Sequence, residues 1–207
     1  MLAQASIDAV WDFADPAGSE ARLREAASAA EGVERSEWET QIARALGLQG
    51  RFAEADALLD GIPVDTPVVR VRVALERGRL RTSSGQADAA SPLFREAAAV
   101  AAAVGLTFLR VDALHMLAIA EPAHAEAWTR EALAVLDGVD DPRTLRWAVA
   151  VHTDAGWTHF DAGRLVDALA AFLRAKEAAA RWGTPQQRER AEDALTRCRA
   201  AIAASGP

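Results

Sequence analysis

The chain has no tyrosine, one lysine and one cysteine in 207 residues, and each shortage closes off a class of function. A single cysteine, Cys198, excludes an internal disulfide and suits a reducing compartment. It reads as a small packing residue, because free cysteine is among the most often buried side chains, with a reactive thiol as the other reading. Lys176 is the sole lysine, no basic run exists, and 23 Lys+Arg against 30 Asp+Glu give a formal net charge of -7. Neutralising many phosphates needs a basic stripe, so neither nucleic acid nor an anionic membrane is an expected partner. The longest stretch without a charged side chain, residues 97–109, has 13 residues. A bilayer-crossing helix needs about 20. The amino-terminal residues also lack the basic stretch and apolar core of a signal peptide. The cytoplasm is the expected location.

What the chain has in abundance is alanine, within a hydrophobic share of 51%. Alanine is the strongest helix former and takes little room, so helices rich in it can approach closely. Four windows repeat one pattern of small residues. The turn positions are Gly50, Gly85, Ala120 and Gly163, separated by 35, 35 and 43 residues. Five residues after each stands Ala55, Ala90, Ala125 or Ala168, and twelve after stands Ile62, Ala97, Ala132 or Ala175. Seven before each stands Ala43, Gly78, Ala113 or Gly156. Two helices joined by a short turn pack at about 8–10 Å only where the facing side chains are small. A glycine at the turn reaches backbone conformations that other residues reach at a cost.

The small residue, the turn glycine seven further on, the alanine five beyond it and a bulky apolar residue four after that resemble the tetratricopeptide-repeat (TPR) motif. The fourth window fits best, with Gly156, Gly163, Leu165, Ala168, Phe172 and Ala175, and the second carries Gly78, Gly85, Ala90, Phe94 and Ala97. The first uses Leu59 and Ile62, and the third has Pro122 and Thr129 where bulky residues are usual. The resemblance implies an all-α, right-handed superhelical solenoid of antiparallel helix pairs, stacked so that neighbours share a continuous core. One domain over residues 1–207 is expected, with four repeats at 36–182. Residues 1–35 read as a degenerate first pair, with Asp15-Pro16 as a cap and Trp11 and Phe13 ahead of it. Residues 184–204, from Thr184 and Pro185, read as a capping helix whose Gln187, Arg190, Glu192 and Arg197 face water. The extra length before the fourth window falls near Asp137 to Pro142, where Gly138 and Asp141-Pro142 mark a loop.

No HExxH, CxxC, GxSxG or phosphate-loop pattern occurs. His152 and His159 share a helix face near Asp161. A metal site needs two or three convergent ligands, and these positions are where TPR helices carry large packing residues. His115 and His124 have no evident partner in the sequence. No catalytic residue, metal or cofactor is therefore expected. The tryptophans Trp11, Trp38, Trp128, Trp147, Trp157 and Trp182 read mostly as core, with Trp157, next to Gly156, also placed to look into a groove.

In a TPR array the first helix of each pair lines the concave face. The repeat spacing gives three rungs there: Arg44, Arg79, Leu114 and Trp157; Thr40, Leu75, Arg110 and Thr153; Glu37, Arg72, Thr107 and Ala150. Arginine forks suit carboxylates, and an indole packs on ligand or guanidinium. Arg44, Arg72, Arg79, Arg110, Thr153 and Trp157 are thus the candidate ligand-binding residues. They loosely resemble the carboxylate clamps of some TPR domains, without the asparagine and lysine residues of those clamps. A further rung of Gln41, Glu76, Val111 and Asp154 makes the face less basic. Internal pairing, as between Arg72 and Glu76, stays open as the alternative. The expected function is a non-enzymatic binding module for a protein or peptide segment with acidic groups. A homo-oligomeric structural protein (a homodimer, for example) and a small-molecule sensor are the rivals.

Overall fold

Capping side chains start the helices that begin at Pro16, Pro142 and Pro185. The Asp15 carboxylate accepts a hydrogen bond from the Gly18 N–H at 2.9 Å, and Pro16 supplies a first helical residue with no N–H to satisfy. Asp141 accepts from the Thr144 N–H at 2.9 Å ahead of Pro142. Thr184 and Gln187 form a reciprocal capping box, with bonds of 3.2 and 3.0 Å between each side chain and the other's N–H. The computed structural model describes residues 1–205, and among the described residues there is no strand. In chain order the helices are α1 (Gln4–Val10), α2 (Pro16–Ser28), α3 (Gly32–Leu48), α4 (Phe52–Asp60), α5 (Pro67–Ser83) and α6 (Ala87–Ala103). Then follow α7 (Thr107–Ala120), α8 (Ala125–Val135), the short α9 (Pro142–Leu145), α10 (Trp147–Asp161), α11 (Leu165–Trp182) and α12 (Pro185–Ser205).

The helices form two compact units, one up to Pro122 and the other from Ala123 onward. Within the first, neighbours pack as α2 on α3, α3 on α4 and α5, α5 on α6, and α6 on α7. Within the second, α10 packs on α8 and α11, and α12 packs on α11. The third expected pair thus has its first helix, α7, in one unit and its second, α8, in the other. No helix is long and apolar enough to cross a membrane among the described residues.

The columns of small residues are where helices meet. All twelve positions before and after the turns are buried, from Ala43, Gly78, Ala113 and Gly156 to Ile62, Ala97, Ala132 and Ala175. At two of them even a methyl group is too large. A Cβ built on Gly78 would lie 2.4 Å from the Phe94 ring, and one on Gly156 would lie 2.4 Å from the Phe172 ring. Each phenylalanine is fully buried, sixteen residues after its glycine, so ring and glycine are a matched knob and hole. Gly47 repeats the device between α3 and α5, where a Cβ would stand 2.6 Å from a Leu80 methyl.

Gly50, Gly85 and Gly163 turn the chain with φ of 75°, 79° and 74°. The third window departs from this expectation. Ala120 ends α7 in helical conformation, and the chain turns instead through a short 3-10 segment, Pro122–His124. A left-handed alanine costs about 1–2 kcal/mol, and Pro122 cannot continue a helix, so the turn moves to it. Gly138, at φ 77°, and capped α9 occupy the expected loop before α10.

Helix α12 buries Ala191, Ala194, Leu195 and Cys198, and exposes Arg190, Glu192 and Arg197. Cys198 packs with Ala168, Phe172 and Leu195, and burial pushes its thiol pKa up. The thiolate, the nucleophilic form, is thereby disfavoured.

Two outcomes check this packing. Gly78→Ala should destabilise by about 1–3 kcal/mol through overpacking, despite alanine's helix advantage of about 1 kcal/mol. Adding Phe94→Leu in the same chain should recover part of the loss, visible as a non-additive pair in urea unfolding. A stabilised Gly78→Ala variant would contradict the contact. In thiol titration with a disulfide reagent at pH 8, Cys198 should stay unreactive in the native protein and react fully in denaturant.

Candidate functional site

The predicted inner face in the first unit is built from α3, α5 and α7, and buried charge holds it together. Glu37, with no exposed surface, accepts from Arg72 Nε at 3.0 Å. Arg79 bridges two helices, pairing with Glu76 at 2.6 Å and with Asp112 on α7. Arg44 stands 4.0 Å from Glu76. Three arginines therefore meet three carboxylates across three helices. Thr40 closes the inner end, donating its hydroxyl to the Glu37 carbonyl at 2.7 Å and receiving the Gln41 amide at 3.3 Å.

The electrostatics follow from that pairing. Burial works against the charge on Asp112, but the guanidiniums of Arg79 and Arg44 outweigh it and hold the carboxyl below its ordinary 3.8. Burial works against Arg79 as well, and Asp112 with Glu76 raises its pKa on balance. Arg44 moves down instead, because burial and the nearby Arg79 exceed the help from Glu76. Asp112 binds its proton more weakly folded than unfolded. Its stabilisation is thus complete above pH 3.8 and is lost as pH falls through the lower folded value.

The candidate residues separate under this geometry. Arg72 is 5% exposed, and its partner is Glu37 on the neighbouring helix rather than Glu76 on its own. Arg79 keeps some exposure, but both its ends are engaged. Arg110 is half-buried on α7. Arg44 offers the most open guanidinium of the ladder, with its side chain 29% exposed, and it lies over the rings of Trp11 and Phe13 at 6.0 and 5.3 Å. Thr153 and Trp157 belong to the second unit. The Thr153 hydroxyl donates to the Val149 carbonyl at 2.7 Å. Trp157 is half-buried edge-on to Phe172, with Arg197 of α12 over its ring at 4.7 Å.

Sequence reasoning passed over Asp112, Trp11 and Phe13 as members of this face. Asp112 had a signal: it follows Glu76 by 36 residues, one more than the repeat spacing, so it lies close to the same rung. Trp11 and Phe13 had none, because their place depends on a segment folding back. Trp11 Nε1 donates to Gln41 Oε1 at 3.1 Å, and the Leu2 N–H donates to Glu37 Oε1 at 2.9 Å.

The second unit holds a cavity of about 330 Å³ lined by Leu133, Leu136, Leu145, His152, Arg174 and Trp182, among others. Burial and the Arg174 charge lower the His152 pKa, favouring a neutral ring near pH 7. His159 accepts from Arg164 Nε at 3.1 Å, away from His152 in this arrangement of contacts. Among the described residues, no three His, Cys, Asp or Glu side chains are grouped to hold a metal ion.

No protein-family model matches the chain, and no curated protein matches it. Among solved structures it is similar to BtubC (BKLC) from P. vanneervenii, with a TM-score of 0.58 and 17% sequence identity. The likeness covers 94% of this chain and 92% of that one, and at this identity it is a likeness of fold.

The ladder predicts unequal costs for its arginines. Arg72→Met leaves Glu37 buried without its cation and should cost about 3–5 kcal/mol. Arg44→Met should cost clearly less, because Glu76 lies 4.0 Å from Arg44 and keeps Arg79 as its closer cation at 2.6 Å. Glu37→Gln combined with Arg72→Met should recover much of the first loss. Urea unfolding of the three variants measures this, and equal losses for Arg72→Met and Arg44→Met would contradict it.

Proposed function

We propose that the chain is a TPR-type right-handed solenoid, capped by α12, that binds a protein or peptide segment on the face of its first helices. It acts by holding that partner, without catalysis and without a cofactor, in the cytoplasm. The repeat spacing, the helix pairs and the left-handed turn glycines support the architecture. One observation carries the function: Leu2, Trp11 and Phe13 of the amino-terminal segment already meet side chains of α3, at Glu37, Gln41 and Arg44. A face that seats one peptide segment on fixed side chains has the preorganisation that peptide recognition needs.

The roles within this proposal follow exposure. Arg72 holds the face together, and Arg79 does so with part of its surface open. Arg44, half-buried, is the guanidinium placed to meet acidic groups of a partner; Arg110, half-buried on α7, belongs to the same unit, and Thr153 and Trp157 stand at the matching repeat positions within the second unit. The acids already on the face limit its appetite for charge, so aromatic and apolar contacts contribute alongside arginine.

A second reading, small-molecule sensing, draws support from the cavity beside His152 and Arg174. Thermal-shift screening against metabolites separates the two. A shift abolished by Arg174→Ala favours the sensor.

A peptide array probed with the full chain tests the main reading. Binders should appear with Kd of about 1–100 μM, and Arg44→Ala should weaken the acidic ones about tenfold, or ~1.4 kcal/mol. An array without binders, or with binders indifferent to Arg44, Arg110 and Trp157, would overturn it.

A further inference from the structure

The segment on the inner face has an internal pattern. Ile7 is 1% exposed, Trp11 follows four residues later and Phe13 two after that. Trp11 and Phe13 stack with centroids 4.7 Å apart and planes within 6°, and the Arg44 guanidinium covers both. The indole N–H reaches Gln41, so the contact reads an indole in particular. Phe13 nonetheless keeps 61% of its surface exposed, and the segment leaves this end of the face only partly sealed.

Little in the segment itself fixes it there. The helix α1 has seven residues, no side-chain cap and no acidic residue in its first turn. Isolated helices this short are not stable in water, so its order derives from what it rests on. Its far end is tied to α2 rather than to the face: the Asp12 N–H donates to Ser19 Oγ at 2.8 Å, and Arg22 Nε donates to the Val10 carbonyl at 3.0 Å. Those bonds make a fixed pivot next to the two aromatic rings.

Resting on the reading that this face binds peptides, we infer that residues 2–13 are a built-in competitor, and that the partner displacing them is a protein segment with the pattern Trp-x-aromatic. The partner's indole takes the Gln41 hydrogen bond, and its second ring takes the place of Phe13 under Arg44. An acidic residue between the rings, as Asp12 lies between Trp11 and Phe13 here, is compatible with the nearby guanidinium. The closed state lowers the face's apparent affinity by the fraction of molecules that are open.

The test uses a fluorescein-labelled peptide of residues 2–14 together with a random peptide library, against the full chain and its Trp11→Ala/Phe13→Ala variant, with helicity checked by circular dichroism. The variant should bind the 2–14 peptide at least about tenfold tighter than the unaltered chain, as expected when the closed state is populated to 90% or more. A 2–14 peptide with both aromatics replaced by alanine should not bind. In the unaltered chain, hydrogen exchange of residues 2–13 should speed up when saturating 2–14 peptide is added, a readout that does not depend on the variant folding. If library peptides bind chain and variant equally and the 2–14 peptide binds neither, the competitor is refuted and the peptide-binding reading stands. If nothing binds either protein and exchange is unchanged, both are refuted. A dimer in light scattering that disappears in the variant would also overturn the proposal, because the segment would then serve a second copy.

Discussion

The closest approach between helices sets what else can happen in this protein. At Gly78 and Gly156 the ring of a phenylalanine from the following helix fills the space a side chain would take. Helices that near each other share a dense interface, and interiors at crystal-like density do not absorb an extra methyl group without movement. The alanines five residues after each turn, and the Ile62, Ala97, Ala132 and Ala175 twelve after, are buried as well.

In the first unit, tertiary packing turns a row of charges into a connected ladder. Glu37, Arg72, Glu76, Arg79 and Asp112 are removed from water to different degrees, and each meets an opposite charge. Ion pairs of this sort add little net stability over an apolar equivalent, yet a single unpaired member is costly. The ladder therefore acts on arrangement: α3, α5 and α7 must stand in one register for every charge to be answered. A face fixed in that way supplies the preorganisation on which the proposed peptide binding relies. Arg44 is the member left to look outward, and aromatic rings rather than a close carboxylate are its neighbours.

The second unit uses the same steric rule with a different outcome. Phe172 fills Gly156, Trp157 packs on Phe172, and Arg197 from α12 covers the indole. Helix α12 thus covers, through Arg197, the indole that the repeat spacing had marked as a candidate binding residue. The cavity near His152 lies beside α8, α9, α10 and α11. Binding through the inner face is proposed chiefly on the first unit because that indole is covered.

Spacing alone located the pairs α3–α4, α5–α6 and α10–α11, because steric demands recur at fixed intervals along the chain and leave small residues as their trace. The turn glycines at 50, 85 and 163, the Asp15 cap and the burial of Cys198 were legible by the same local logic. Ala120 was the exception among the turns, since alanine and glycine look alike as small residues and differ only in the backbone angles they tolerate. The partners of the arginines were not legible. Arg72 could pair within its helix or across to α3, and choosing Glu37 depends on how close α3 and α5 come, which follows from Gly47 meeting Leu80. Nor could any local rule bring Trp11 and Phe13 onto α3. Charge pairing and segment docking are set by distances in space, which one-dimensional order does not carry.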